Sequence, residues 1–120
     1  MSDVPARGAP IASTPRPPYY AVIFTSIRNS GGPEYEAMAA RMAALAASQP
    51  GYLGLESVRQ QDGLGISVSY WQSEAAIEAW RANAEHQLAQ EAGKRTWYRD
   101  YVLRVAPVLR ELHRGEPDEH

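Results

Sequence analysis

Two apolar runs, residues 52–59 and 64–71, flank an Asp62-Gly63 pair, and this constrains the chain more than any other feature. Asp-Gly between alternating apolar residues is a strong signal for a tight antiparallel hairpin. The segments on either side follow from it. Upstream, residues 34–48 are alanine-rich, with Tyr35, Met38, Met42 and Leu45 spaced by threes and fours, as on one face of a helix. Pro50-Gly51 stops that helix. Downstream, Ser73 is a suitable N-cap and Glu74 complements the first turn of a second helix. Ile77, Trp80, Ala84 and Leu88 form its apolar stripe, and Gly93 interrupts it.

Two outer segments complete the pattern. Residues 19–27 are rich in β-branched and aromatic side chains and read as a strand, broken by Asn29-Ser30-Gly31-Gly32-Pro33. A last strand is expected over about 98–108. The order β-α-β-β-α-β predicts an α+β, ferredoxin-like split βαββαβ fold: a four-stranded antiparallel sheet with both helices on one face.

At 120 residues there is room for one domain, expected over 19–110. The first 18 residues carry Pro5, Pro10, Pro15, Pro17 and Pro18 and predict a disordered, extended tail. Residues 111–120 predict a polar, frayed end. No apolar leader or membrane span is visible, so a cytoplasmic location is expected by default. The absence of cysteine excludes disulfides, thiolate catalysis and cysteine metal sites. With three histidines, two of them (His113 and His120) in the polar C-terminal end, no metal site is expected. A net charge of −2 with interspersed signs gives no reason to expect nucleic acid or an anionic membrane as partner.

Alternation along the outer strands adds a constraint. Tyr20, Val22 and Phe24 point one way and Ala21, Ile23 and Ile27 the other, so neither face of the first strand is polar. In the last strand Val102 opposes Tyr101, Leu103 and Val105 in the same manner. A sheet with helices on one side only needs a cover for its other apolar face. A second copy supplies it, so a homodimer is expected. Pro107 suits the end of an edge strand.

The stretch Ser69-Tyr70-Trp71-Gln72-Ser73-Glu74-Ala75-Ala76-Ile77-Glu78-Ala79-Trp80, with the Gln49-Pro50-Gly51-Tyr52-Leu53-Gly54 lead into the second strand, resembles the antibiotic biosynthesis monooxygenase (ABM) family of the dimeric α+β barrel group. The resemblance runs from about residue 19 to residue 109 and is more specific for fold than for activity. It implies an oxidoreductase acting on a planar aromatic ligand held between sheet and helices. One branch of the family oxidises polycyclic phenols without a cofactor; another degrades heme. The heme branch uses a strand Asn, a helix Trp, and a His about ten residues after the Trp. Trp80 matches the Trp. The Asn position falls near Ser26 or Ile27, and the His position at Gln90, one turn beyond His86. Heme is thus a secondary expectation, with altered ligation and weak binding. The primary one is a monooxygenase without metal or flavin.

Candidate residues follow, each with its ordinary alternative. Trp80 is expected to wall a pocket, although a Trp at helical spacing commonly fills a core. Asn83 lies about 60° and Gln87 about 20° from it around the helix, so both are candidate polar anchors. His86, about 120° away, is the candidate general base, against a plain surface histidine. A tyrosine is the other possible base. Ser26 and Trp71 complete the expected substrate-binding set, with packing as the alternative for Trp71. Arg28, Arg59, Arg81 and Arg104 look scattered and are expected on the solvated surface. A ligand-binding or assembly module without enzymatic activity is the remaining reading, since fold does not fix function.

Overall fold

The structure is a computed structural model; it describes residues 11–29, 33–91 and 97–115, without the side chains of 86–91. The elements follow the expected order: β1 (Tyr19–Arg28), α1 (Pro33–Ala47), β2 (Tyr52–Arg59), β3 (Leu64–Trp71), α2 (Glu74–Glu91) and β4 (Tyr98–Val108). The sheet order is β2-β3-β1-β4 and every pairing is antiparallel. The fold is ferredoxin-like α+β. Pro107 sits near the end of edge strand β4, where its missing N–H costs no ladder bond.

Local chemistry explains the boundaries. Pro33 opens α1, where its missing donor is harmless, and Glu34 and Glu36 lie in the first turn. Gly51 turns the chain into β2 at φ +87, and a Cβ there would lie 2.6 Å from the Ala76 Cβ, so glycine lets this junction touch α2. At the hairpin, Gly63 has φ +103 and the Leu64 N–H donates to Asp62 Oδ1 at 3.0 Å. Ser73 caps α2 as expected: its Oγ accepts the Ala76 N–H at 3.1 Å.

The core lies between sheet and helices. Val22, Ala46, Trp71 and Ile77 are its centre, with Tyr20, Tyr52, Ala76, Trp80 and Leu103 packed around them. Register places Tyr20 opposite Trp71, Val22 opposite Ser69 and Phe24 opposite Leu103, so these residues share the helix-facing side. Of the expected α1 stripe, Tyr35 and Met38 are buried, while Met42 and Leu45 are half-buried.

The outer face departs from expectation at one end. Residues 11–18, expected to form a mobile tail with 1–10, lie against it. The Ala12 N–H donates to Glu56 Oε2 at 2.8 Å, and Tyr70 Oη donates to Glu56 Oε1 at 2.8 Å. The Ala12 Cβ packs against Gly54, where a side chain would come within 2.9 Å of it. Thr14 Oγ1 bonds Tyr19 Oη at 2.9 Å and donates to Glu111 Oε1 at 2.9 Å; Tyr19 Oη also donates to Glu111. The physical reason is that a proline-rich segment needs no ladder of its own when acidic side chains take its few donors. Residues 1–10 lie outside the described residues.

The rest of the outer face is open and apolar. Val58 pairs with Ile66, Ile66 with Thr25, and Thr25 with Val102, forming one row across all four strands. Val58, Ile66 and Val102 are exposed, as is the neighbouring Leu64.

Candidate functional site

Trp80 projects from α2 toward the sheet. Its ring packs on Trp71 with centroids 5.3 Å apart and planes 33° from parallel. Trp80 Nε1 is buried yet has no hydrogen-bond acceptor among the described residues. A buried, unmatched N–H costs about 1–3 kcal/mol, so such a donor invites a ligand acceptor. Trp71 differs. It is wholly buried, its Nε1 donates to Ser69 Oγ at 2.8 Å, and Tyr52 meets it edge-on at 5.6 Å. Trp71 is therefore a satisfied core anchor, the packing role that was its alternative. Tyr70, its neighbour in sequence, faces outward, as alternation requires.

The other expected residues are dispersed. Asn83 is exposed and donates through Nδ2 to Gln49 Oε1 at 3.2 Å, because its helical angle turns it toward the end of α1 and away from the sheet. Ser26 is buried on the helix-facing side, near the far end of β1, where its Oγ accepts a bond from Arg59 Nη2 at 2.8 Å. The side chains of His86 and Gln87 lie outside the described residues, as does that of Gln90. Arg81 behaves as expected of a solvated face, bridging Glu78 and Glu85 at 2.9 Å each.

Arg28 and Arg59 do not fit the scattered surface expected of them. The Arg59 guanidinium lies 5.6 Å from the Tyr35 ring centroid and 6.0 Å from that of Tyr98, while Arg28 lies 4.9 Å from the Tyr35 centroid. Arg59 reaches this place by crossing β3 at Gly65, which stands opposite both Arg59 and Ser26. A Cβ on Gly65 would sit 2.6 Å from the guanidinium carbon. Arg59 Nη1 also donates to the Gly63 carbonyl. Glycine inside a strand is the available sequence signal for such close approach.

Aromatic rings surround the two cations. Tyr35 and Tyr98 meet edge-on at 5.9 Å with hydroxyls 3.4 Å apart, and Phe24 lies 5.1 Å from Tyr98 and 5.5 Å from Tyr101. Burial, then the hydrogen bond with Tyr35, holds the Tyr98 phenol above its ordinary range despite the opposing effect of Arg59. Burial and the bond to Glu56 likewise push Tyr70 up to about 12. Both stay protonated near neutrality, which removes them as general bases and makes them donors. Among the described residues no group of three or more His, Asp or Glu side chains is placed to hold a metal ion. No helix among them is long and apolar enough to cross a membrane.

The family model described as "Antibiotic biosynthesis monooxygenase" matches residues 18–92. The chain belongs to the antibiotic biosynthesis monooxygenase family. Within it, the chain is 54% identical over 101 residues to "Uncharacterized protein YqjZ" of Bacillus subtilis (strain 168), covering 84% of this chain and 89% of that one. It is 33% identical over 66 residues to "Jasmonate monooxygenase ABM" of Pyricularia oryzae (strain 70-15 / ATCC MYA-4617 / FGSC 8958), covering 52% of this chain and 31% of the fungal protein. Solved ABM-like folds superpose well at low identity. SnoaB, a cofactor-independent oxygenase from Streptomyces nogalater, gives a TM-score of 0.59 at 17% identity, covering 83% of this chain and 100% of its own. An MhuD R26S mutant with two manganese protoporphyrin IX molecules per active site gives 0.62 at 22%, covering 78% and 98%. These two likenesses establish the fold and nothing narrower.

Proposed function

We propose that this ABM protein is a monooxygenase for a planar aromatic phenol, working as a homodimer without a resident metal or flavin. The observation that carries this reading is the Trp80 indole: a flat wall on the helix-facing side of the sheet, with a buried N–H that lacks an acceptor among the described residues. A phenol or its quinone product offers an oxygen to that donor and a ring to the indole face.

The chemistry asks little of the protein. Loss of the phenolic proton makes the ring electron-rich enough to reduce oxygen. Oxygen then adds to a ring carbon as a peroxide; that carbon's hydrogen is lost, the O–O bond breaks, one oxygen stays as the quinone carbonyl and the other leaves as water. The protein binds the ring, accepts the first proton and excludes water. With Tyr70 and Tyr98 both held protonated, His86 is the proposed base. Ser26 and Asn83 are not part of the proposed site, because Arg59 and Gln49 already engage them. The test is oxygen uptake with a tricyclic phenol, using protein treated with chelator. Quinone formed with one oxygen consumed per product, and slowed by His86→Ala, supports the reading; no uptake above the protein-free rate defeats it.

Heme is a poor fit. In this chain the family's strand Asn position falls near Ser26 or Ile27, neither of them Asn, and the Ser26 hydroxyl is tied to Arg59. Beside it, rings of Tyr98 and Tyr101 already pack over Phe24.

A further inference from the structure

We propose that Arg59 and Arg28, gathered on the Tyr35 ring, form a subsite for a carboxylate carried by the flat substrate. This deepens the reading above and rests on it for the ligand's aromatic body; the charge recognition is a separate claim. Among the described residues neither guanidinium is paired with a carboxylate: Arg59 bonds only to the Ser26 hydroxyl and neutral backbone carbonyls, and Arg28 stacks on Tyr35. Two cations resting on one ring repel each other, and an anion close to both reverses the sign of that interaction.

The placement is also built. Gly65 leaves the space through which Arg59 lies across the sheet, and Ser26 Oγ and the Gly63 carbonyl fix its planar head. A preorganised guanidinium of this kind suits a carboxylate, which accepts paired N–H donors. The Tyr35 and Tyr98 hydroxyls, hydrogen-bonded to each other at 3.4 Å, leave one O–H to donate within the same cluster. The β1–β4 register shifts between Ile27, opposite Asp100, and Arg28, opposite Tyr98, which sets Arg28 beside the Tyr98 side of the cluster.

The subsite stands at a useful distance from Trp80. Ser26 and Val22 share the helix-facing side of β1, roughly 14 Å apart at the usual rise per residue, with Phe24 between them. Trp80 packs against the cluster that contains Val22. A ligand with its acid at Arg59 and its rings toward Phe24 and Trp80 uses both ends.

The test compares two probes of the same shape, naphthalene carboxylate and naphthalene carboxamide, by calorimetric titration. The wild type is expected to bind the carboxylate about tenfold or more tightly over the carboxamide. Arg59→Gln should erase the preference. Gly65→Ala should weaken it while keeping every charge, because the new methyl would occupy the space in which the Arg59 guanidinium lies. Arg28→Lys should retain most of it. Far-ultraviolet dichroism and thermal melts check that each variant folds. Equal binding of the two probes overturns the subsite and leaves the aromatic pocket standing. A charge preference that survives Arg59→Gln in a folded variant also overturns it. Preference lost with Arg59→Gln but untouched by Trp80→Phe supports the subsite and contradicts the pocket. Binding of neither probe overturns both.

Discussion

At the residue scale, burial separates two tryptophans that look alike in sequence. Trp71 and Trp80 touch, yet one has its N–H matched by Ser69 and the other does not. Nothing in the spacing of nine residues distinguishes them, because satisfaction depends on what the sheet brings opposite. Ser69 faces Val22 across the strands, and only the fold shows that its hydroxyl turns to Trp71. Arg59 was equally hidden: its neighbours Val58 and Gln60 give no hint, while its partners lie on β1, α1 and β4. Ser69→Ala should cost about 1–2 kcal/mol in urea denaturation, since it leaves the buried Trp71 indole N–H unmatched. A change within experimental error would mean that Trp71 finds another acceptor at no cost.

At the element scale, the sequence was informative wherever a local rule decides the outcome. The Asp62-Gly63 hairpin, the Ser73 cap and the helix stop near Gly51 each depend on residues within a few positions of one another. The segment 11–18 was not legible for the opposite reason. Its prolines argue against helix and central strand, and its partners Glu56 and Glu111 are distant in sequence. One cue existed: Glu56 is an acidic residue on a face that is otherwise largely apolar. Removing residues 1–16 deletes the Ala12 N–H donor to Glu56 and the Thr14 hydroxyl that bonds Tyr19 and Glu111. We expect the truncated chain to lose about 1–2 kcal/mol, seen as a melting temperature lower by several degrees. An unchanged melting temperature would show that the segment's contacts contribute nothing net.

At the scale of the whole molecule, the open part of the outer face bears on the proposed homodimer. Val58 is 73% exposed, Ile66 46% and Val102 45%, and they form a continuous row with Thr25. An apolar row of this kind on a sheet face is a natural surface for a second copy. Sedimentation at low micromolar concentration should give about twice the 13.3 kDa chain mass, and Val58→Lys should shift it toward monomer. A folded wild-type monomer at that concentration would rule out the homodimer. The proposed function depends most on Trp80, and one paired experiment addresses it: denaturation and titration with a planar aromatic ligand, on wild type and Trp80→Phe. If Trp80 walls a ligand site, phenylalanine keeps a ring and removes the unmatched N–H. Stability should then change by less than about 1 kcal/mol while affinity falls clearly. If Trp80 only fills the core, stability should fall by about 1–3 kcal/mol with affinity per folded molecule unchanged, and that result would contradict the proposed site.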